Sequence, residues 1–143
     1  MNFDQPLTLP CNHELETMVA KVSPLLFGRQ VVHAWREAHW VPMVLGEQPL
    51  PGFSWQPLTS DEASEWHAYW MRLDAGAKSP LHVHPSTELL LIHEGALHDD
   101  DGAVYGPGDV VVYAAGSSHS TFSPAGCHAL VVTSRHASVL RDK

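Results

Sequence analysis

Residues 76–95 decide the fold, and they read GAKSPLHVHPSTELLLIHEG. His82 and His84 stand two positions apart, and a strand places such side chains on one face, about 6.6 Å apart along its axis. The Pro-Ser-Thr segment at residues 85–87 is suited to a bend that folds the chain back and brings Glu88 beside them. The stretch therefore predicts a site in which two imidazoles and a carboxylate meet.

A further ligand candidate, His119, follows the apolar run at residues 110–114 through a segment of small residues, 115–118. The chain contains 11 histidines, and histidine is the commonest protein ligand of transition metals. Three imidazoles and one carboxylate suit transition metals, whereas calcium and magnesium prefer oxygen ligands. We expect one divalent transition metal: Fe, Zn, Mn, Ni, Co or Cu.

Short segments follow one another after residue 65, separated by turn-forming residues. The sequence holds 10 glycines and 11 prolines, and several of them lie in the turns that end these segments. We predict six strands, at residues 66–74, 81–84, 88–93, 96–98, 110–114 and 127–134. Many short strands at regular spacing are typical of an all-β jelly roll or a small barrel.

The first 52 residues show a different sequence pattern, with a predicted helix followed by turn-forming residues. Asn12 can cap a helix, predicted for residues 12–22, whose apolar residues recur at helical spacing: Leu15, Met18, Val19 and Val22. Residues 29–35 fit either helix or strand. An irregular lead-in is predicted from its turn-forming residues, Pro42, Pro49, Pro51 and Gly52. We divide the chain into an N-terminal extension, residues 1–52, packed on a barrel formed by residues 53–143.

Composition limits the partners. The 143 residues suffice for one domain, and 8 Lys and Arg against 16 Asp and Glu give a net charge of -8. An acidic chain without a basic cluster is not suited to binding nucleic acid. No apolar run approaches the roughly 18 to 20 residues of a membrane-spanning helix, and no export signal is visible. We expect a cytoplasmic protein that binds a small molecule, with neither nucleic acid nor membrane as a partner.

Two sets of residues carry a family resemblance. The first stands at the spacing G-x5-H-x-H-x3-E-x6-G and resembles the complete first motif of the cupin superfamily: Gly76, His82, His84, Glu88 and Gly95. The second is similar to the motif G-x5-P-x-G-x2-H-x3-N, with Ala114 for the proline and Ser123 for the asparagine: Gly108, Gly116 and His119. The chain most resembles the ChrR-like cupins over about residues 53–133. These include a domain of zinc-dependent anti-sigma factors and relatives of acetylacetone or dihydroxyacetophenone dioxygenase type.

The resemblance implies a single-domain cupin, a jelly-roll β-barrel with a short N-terminal helix. It implies four metal ligands, His82, His84, Glu88 and His119, although acetylacetone-type dioxygenases coordinate through histidines only. One implied function is Fe(II)-dependent, dioxygenase-type cleavage of a diketone or hydroxyketone. The alternative is a zinc-binding sensor or ligand-binding cupin without catalysis, and a metal-dependent isomerase or lyase is a third reading. A homodimer is also implied, with residues 3–9 as a candidate exchanged strand.

Four residues are candidates for the wall of a substrate pocket. Tyr113 and Phe122 flank His119 in the sequence, so we expect them beside the metal. Trp70 and Arg72 lie two positions apart on a predicted strand, where they could face inward together. Arg72 could then bind an anionic or carbonyl oxygen, or it could point outward into solvent.

Other reactive residues receive ordinary roles. His93 is an odd number of positions from Glu88, so a regular strand points it away from the metal face. The acidic residues 99–101 precede a glycine and are assigned to a hairpin turn rather than to a second cation site. Cys127 opens an apolar strand and is expected to pack in the core.

Overall fold

A computed structural model describes residues 39–59, 65–134 and 138–139. Every regular element in these ranges is a β-strand, which confirms the predicted all-β fold. The predicted helix at residues 12–22 and the segments 3–9 and 29–35 lie outside the described residues. Within the described ranges there is no helix long and apolar enough to cross a membrane.

The described residues form thirteen strands, several of them only two or three residues long. They are β1 Val41–Leu45, β2 Gln48–Pro57, β3 His67–Leu73, β4 Ala77–Lys78, β5 His82–Val83, β6 Glu88–Gly95, β7 Leu97–Asp99, β8 Val104–Tyr105, β9 Val110–Tyr113, β10 Ser118–His119, β11 Thr121–Ser123, β12 Cys127–Thr133 and β13 Ser138–Val139.

These strands are arranged in three antiparallel sheets. The largest has the order β1-β2-β3-β12-β6-β9, and the smaller two have the orders β10-β5-β13 and β4-β11-β7-β8. The chain leaves the large sheet after β3, visits β4 and β5 in the two small sheets, and returns as β6. It repeats this path from β9 through β10 and β11 to β12, which is the alternation between layers of a jelly roll.

The core lies on the inner face of the large sheet. β12 alternates strictly between buried and half-buried residues and pairs with β3 over seven positions and with β6 over seven. Its buried residues pack with Leu97 and Ala77 of the four-stranded sheet in one apolar cluster. Cys127 belongs to this cluster, and burial raises the pKa of its thiol to about 11. This confirms the packing role predicted for it.

The predicted irregular lead-in is wrong, because its three prolines lie in the strands of a β-hairpin, Pro42 in β1 and Pro49 and Pro51 in β2. Within the described part of the chain β1 lies at an edge of the large sheet, where a proline removes no obligatory ladder hydrogen bond. Pro49 and Pro51 lie in the first part of β2, before its pairing with β3 begins at Phe53. The boundary placed between residues 52 and 53 thus falls inside β2, and strand structure of the same sheet begins at Val41.

The last glycine of the first motif has a packing reason. Gly95 ends β6 with a φ of +79°, a conformation that L-residues with a Cβ rarely adopt. A Cβ there would overlap the carbonyl oxygen of Gly126, just before β12. The glycine therefore lets the ends of β6 and β12 approach closely.

Candidate metal centre

Pairing between two short strands brings the histidines together. His82 of β5 lies directly opposite His119 of β10 in an antiparallel pair. His84 follows β5, and its backbone N–H donates to the Ser117 carbonyl (2.9 Å) while its carbonyl accepts from the Gly116 N–H (2.7 Å). Backbone hydrogen bonds from two of the small residues before His119 thus hold the backbone of His84 in place. One ligand nitrogen from each of the three buried histidines lies within 4.8 Å of the other two.

Two of these rings are oriented by neutral acceptors. The Nδ1 of His82 lies 2.9 Å from the Pro80 carbonyl oxygen, which can only accept, so Nδ1 carries the proton. The Nδ1 of His84 lies 3.2 Å from the Ser117 hydroxyl, whose own proton goes to the Ala114 carbonyl at 2.6 Å. In both rings Nε2 is left as the unprotonated nitrogen.

The third ring is oriented by a carboxylate. The Nδ1 of His119 donates to Asp99 Oδ1 at 2.9 Å. Asp99 Oδ2 accepts from the hydroxyls of Tyr113 (2.9 Å) and Tyr105 (3.2 Å). Although burial opposes ionisation of Asp99, the His119 hydrogen bond and charge, followed by the tyrosines, lower its pKa overall. The carboxylate is therefore ionised at neutral pH.

Burial favours the uncharged form of two of the three histidines. Burial, followed by the charges of His119 and His82, lowers the pKa of His84 to about 4. Burial also lowers the pKa of His82. Neutral imidazoles are the form that binds metal. The Nε2 of His84 is fully buried and has no hydrogen-bond partner among the described residues. Such an orphaned atom, with all three Nδ1 atoms engaged, is what a metal-binding set of residues requires.

Glu88 lies beside the three histidines. It begins β6, opposite Tyr113 of β9, and its Oε1 lies 3.7 Å from His84 Nε2. The residue is 8% exposed, and burial raises the pKa of its carboxyl to about 7. The structure thus brings all four sequence-predicted ligand residues to one place, while Glu88 stands outside the histidine group defined by mutual ligand distances.

A cavity of about 210 Å³ opens onto this group. His82, His119 and Glu88 form one part of its lining. Most of the rest is apolar, including Met43, Leu50, Phe53, Trp55, Tyr69 and Leu90. No lysine or arginine is among the described residues that line it. The β1–β2 hairpin, missed in the sequence analysis, contributes one wall.

Three predicted wall residues lie elsewhere. Tyr69 and Met71 face the cavity, so strand alternation turns Trp70 and Arg72 to the opposite face of β3. There Trp70 packs edge-on at 5.9 Å from His93, and the Arg72 guanidinium lies 4.8 Å from the Trp40 ring. His93 thus points away from the metal face, as predicted.

Phe122 is also outside the cavity lining, because its neighbour Thr121 points inward in its place. Phe122 is 38% exposed and packs near His98. Tyr113, the fourth predicted wall residue, is not in the cavity lining either, but it packs against two of the histidines. Its ring stacks on His84 at 4.8 Å, with 14° between the planes, and lies 4.3 Å from His119.

Asp99 was missed by the sequence reasoning, which assigned residues 99–101 to a turn. The turn exists after β7, but Asp99 is the last strand residue and is buried. It shares a face with the core residue Leu97, two positions earlier. This period-two relation is the signal that could have separated Asp99 from its exposed neighbours Asp100 and Asp101.

The family model of the ChrR cupin-like domain matches residues 28–137, more than half of the chain. The chain belongs to this family. The match confirms the resemblance to the ChrR-like cupins and includes β1, which the sequence analysis had placed in an extension. No curated protein sequence matches this ChrR-like cupin.

Solved structures share the fold. An acetylacetone dioxygenase from Acinetobacter johnsonii has a TM-score of 0.63 at 15% identity, covering 80% of this chain and 82% of that one. The polyketide cyclase RemF from Streptomyces resistomycificus has a TM-score of 0.65 at 18% identity, covering 80% and 87%. A cupin sugar phosphate isomerase from Silicibacter pomeroyi has a TM-score of 0.51 at 32% identity, covering 61% of this ChrR-like cupin. This chain spans only 62% of that isomerase.

Proposed function

We propose that this ChrR-like cupin is a metal-dependent enzyme that cleaves a diketone or hydroxyketone with dioxygen. His82, His84 and His119 hold the metal through Nε2, and Glu88 is its fourth ligand. One observation carries the proposal: three buried imidazoles with engaged Nδ1 atoms converge, and two of them, His82 and His119, line an apolar cavity of about 210 Å³. The space is suited to a small molecule.

The cavity favours catalysis over a purely structural metal. Structural sites are closed by four protein ligands, whereas catalytic sites keep a position open for water or substrate. Three histidines, with or without Glu88, leave such positions on a five- or six-coordinate ion. The cavity reaches His82 and His119 directly, so a ligand could enter beside them.

A bound ferrous ion would supply the dioxygen chemistry that protein side chains cannot. The chain's own residues would prepare the substrate. Apolar walls such as Leu50, Phe53 and Leu90 exclude water and bind the carbon skeleton. The polar end of the cavity would hold the ketone oxygens in one orientation. Cleavage of one carbon–carbon bond of a β-diketone by one dioxygen then gives a carboxylic acid and an α-dicarbonyl compound.

The side chains that line the cavity favour a neutral substrate. Recognition of a phosphate group normally uses arginine, lysine or a helix N-terminus. The described lining contains no lysine or arginine, and its one acidic residue is Glu88. The Silicibacter protein is named a sugar phosphate isomerase. A phosphorylated substrate of that kind is disfavoured for the cavity of this ChrR-like cupin.

A zinc-binding sensor without catalysis is the second candidate. It is favoured by the family match itself, since the family is named for ChrR. The same three histidines would hold zinc, which has no redox chemistry. The two candidates differ in the metal that the protein holds and in its reaction with dioxygen.

Reconstitution separates these candidates. Protein purified without added metal or chelator is analysed for its elements, stripped, and loaded with either Fe(II) or Zn(II). We expect oxygen uptake with acetylacetone for the Fe(II) form, equimolar with the carboxylic acid formed, and none for the Zn(II) form or for Fe(II)-treated His82→Ala. Tightly held zinc, with no uptake by the Fe(II) form across neutral diketones and hydroxyketones, would overturn the oxygenase proposal.

We also propose a homodimer in the cytoplasm. Among the described residues β9 is an edge strand, and its outward-facing Val110 and Val112 are 55% and 59% exposed, which supports the homodimer. Uncovered apolar edge strands invite pairing with another chain. Light scattering should give about twice the 15.7 kDa chain mass, and a charged Val112→Lys variant should shift it toward the monomer. A monomeric wild type would contradict this.

A further inference from the structure

Asp99 is the centre of a buried polar cluster behind His119. Asp99 is 9% exposed. Its two carboxylate oxygens accept three hydrogen bonds, from His119, Tyr113 and Tyr105. The contact with His119 is buried, and the two contacts with the tyrosine hydroxyls are part-buried. A buried carboxylate costs free energy unless its partners compensate for lost hydration, so this arrangement is a specific one.

Tyr113 joins two of the histidines to this cluster. Its hydroxyl donates to Asp99 Oδ2, while its ring lies almost parallel to His84 and 4.3 Å from His119. Movement of the Asp99 carboxylate would therefore move His119 directly and His84 through the tyrosine ring.

The geometry points to Asp99 as the positioning residue of the metal centre, with Tyr113 as its coupling partner. A carboxylate only accepts hydrogen bonds, so it fixes the His119 proton on Nδ1 and leaves Nε2 for the metal. This inference rests on the three-histidine ligand set of the proposed function. It does not depend on which reaction the metal performs.

His119 differs from the other two ligands because its Nδ1 donates to a charged acceptor, the Asp99 carboxylate. His82 and His84 donate to a neutral carbonyl and a neutral hydroxyl, respectively. A charge-assisted hydrogen bond is stronger and makes the imidazole a better electron donor to a metal. Loss of the negative charge at Asp99 should therefore weaken metal binding more than loss of the hydroxyl at Ser117.

The test compares Asp99→Asn with Asp101→Asn, which removes the same charge from an exposed turn two residues away. Metal affinity is measured by chelator competition with Co(II) and Zn(II), together with the d–d spectrum of the Co(II) form. We expect Asp99→Asn to lower affinity by about 10- to 100-fold, the usual effect of removing a partner behind a metal ligand. Its d–d bands should shift, and nitrogen NMR of the metal-free variant should show mixed His119 tautomers. Asp101→Asn should match wild type.

Tyr113→Phe keeps the proposal testable if Asp99→Asn does not fold, because it removes one hydrogen bond to the carboxylate and retains the stacked ring. We expect a smaller fall in affinity, about a few-fold, with shifted d–d bands. A folded Asp99→Asn protein with wild-type affinity, spectrum and tautomer would overturn the inference. Wild-type metal binding by His82→Ala would instead overturn the ligand set beneath it, so the two failures are distinguishable.

Discussion

Glu88 Oε1 lies 3.7 Å from His84 Nε2, and both residues are buried. Burial shifts the two pKa values in opposite directions, that of Glu88 up to about 7 and that of His84 down to about 4. In each case the charged form is the one that loses hydration. In the metal-free site the neutral forms of Glu88 and His84 are therefore favoured. A bound divalent cation would instead favour the ionised carboxylate of Glu88.

Glu88→Gln should stabilise the metal-free protein at pH 8. The folded-state pKa of Glu88 lies above its unfolded value of about 4.5, so its contribution to stability is full below pH 4.5 and lost as pH rises through 7. Removing the charge should recover on the order of 2 to 3 kcal/mol at pH 8 and nearly nothing at pH 4.5. Denaturant unfolding of the chelator-treated protein at both values measures this.

The matched control for this prediction is Glu94→Gln, at an exposed carboxylate of the same strand. It should change stability little at either pH. The same Glu88→Gln substitution should weaken metal binding, because Glu88 is the proposed fourth ligand. If Glu88→Gln is no more stable than wild type at pH 8, ionisation of the buried Glu88 carboxyl does not destabilise the metal-free fold.

His84→Ala should abolish stoichiometric metal binding while the fold persists. The lost imidazole is one of three converging ligands, and the neighbouring Ser117 hydroxyl cannot replace it. His93→Ala is the control, since His93 packs against Trp70 on the opposite face of the sheet. Metal content after gel filtration should be near zero for His84→Ala and unchanged for His93→Ala. Equal metal content in the two variants would contradict the ligand assignment.

The candidate ligands could be predicted from sequence because they lie in motifs of fixed spacing. The alternation of His82 and His84 and the glycines at either end of the first motif are local features. The cavity walls could not be predicted in the same way. Which of Tyr69 or Trp70 faces inward depends on strand register, and a shift of one residue exchanges the two faces. The sequence around β3 does not fix that register.

Asp99 and the first hairpin were missed for other reasons. Asp99 lies next to two exposed acidic residues in a turn, and only its tertiary contacts with His119 and Tyr113 distinguish it. Prolines in β1 and β2 resemble loop residues until the edge position of β1 and the late start of β2–β3 pairing are known. Both features depend on partners that are distant in the sequence.

Gly95→Ala should destabilise the fold by ~2 kcal/mol or more, because it combines an unfavourable positive φ with an overlap at the Gly126 carbonyl. Gly46→Ala is the control: its φ is +64°, but a Cβ would meet nothing within 4 Å. That variant should lose only the backbone preference, about 1 kcal/mol. Urea unfolding of the two variants compares them, and equal losses would mean that the contact between β6 and β12 adds nothing.

The Cys127 thiol should be unreactive in the native protein. It is 3% exposed, and burial raises its pKa to about 11, so little thiolate exists at pH 8. In a Cys11→Ser background, Ellman's reagent at pH 8 should modify no thiol in buffer and one thiol per chain in guanidinium chloride. Since reaction then requires opening of the core between β3 and β12, its rate should fall when metal binding stabilises the folded state. Rapid modification of the native protein, with or without metal, would contradict the packing of β12 against the core.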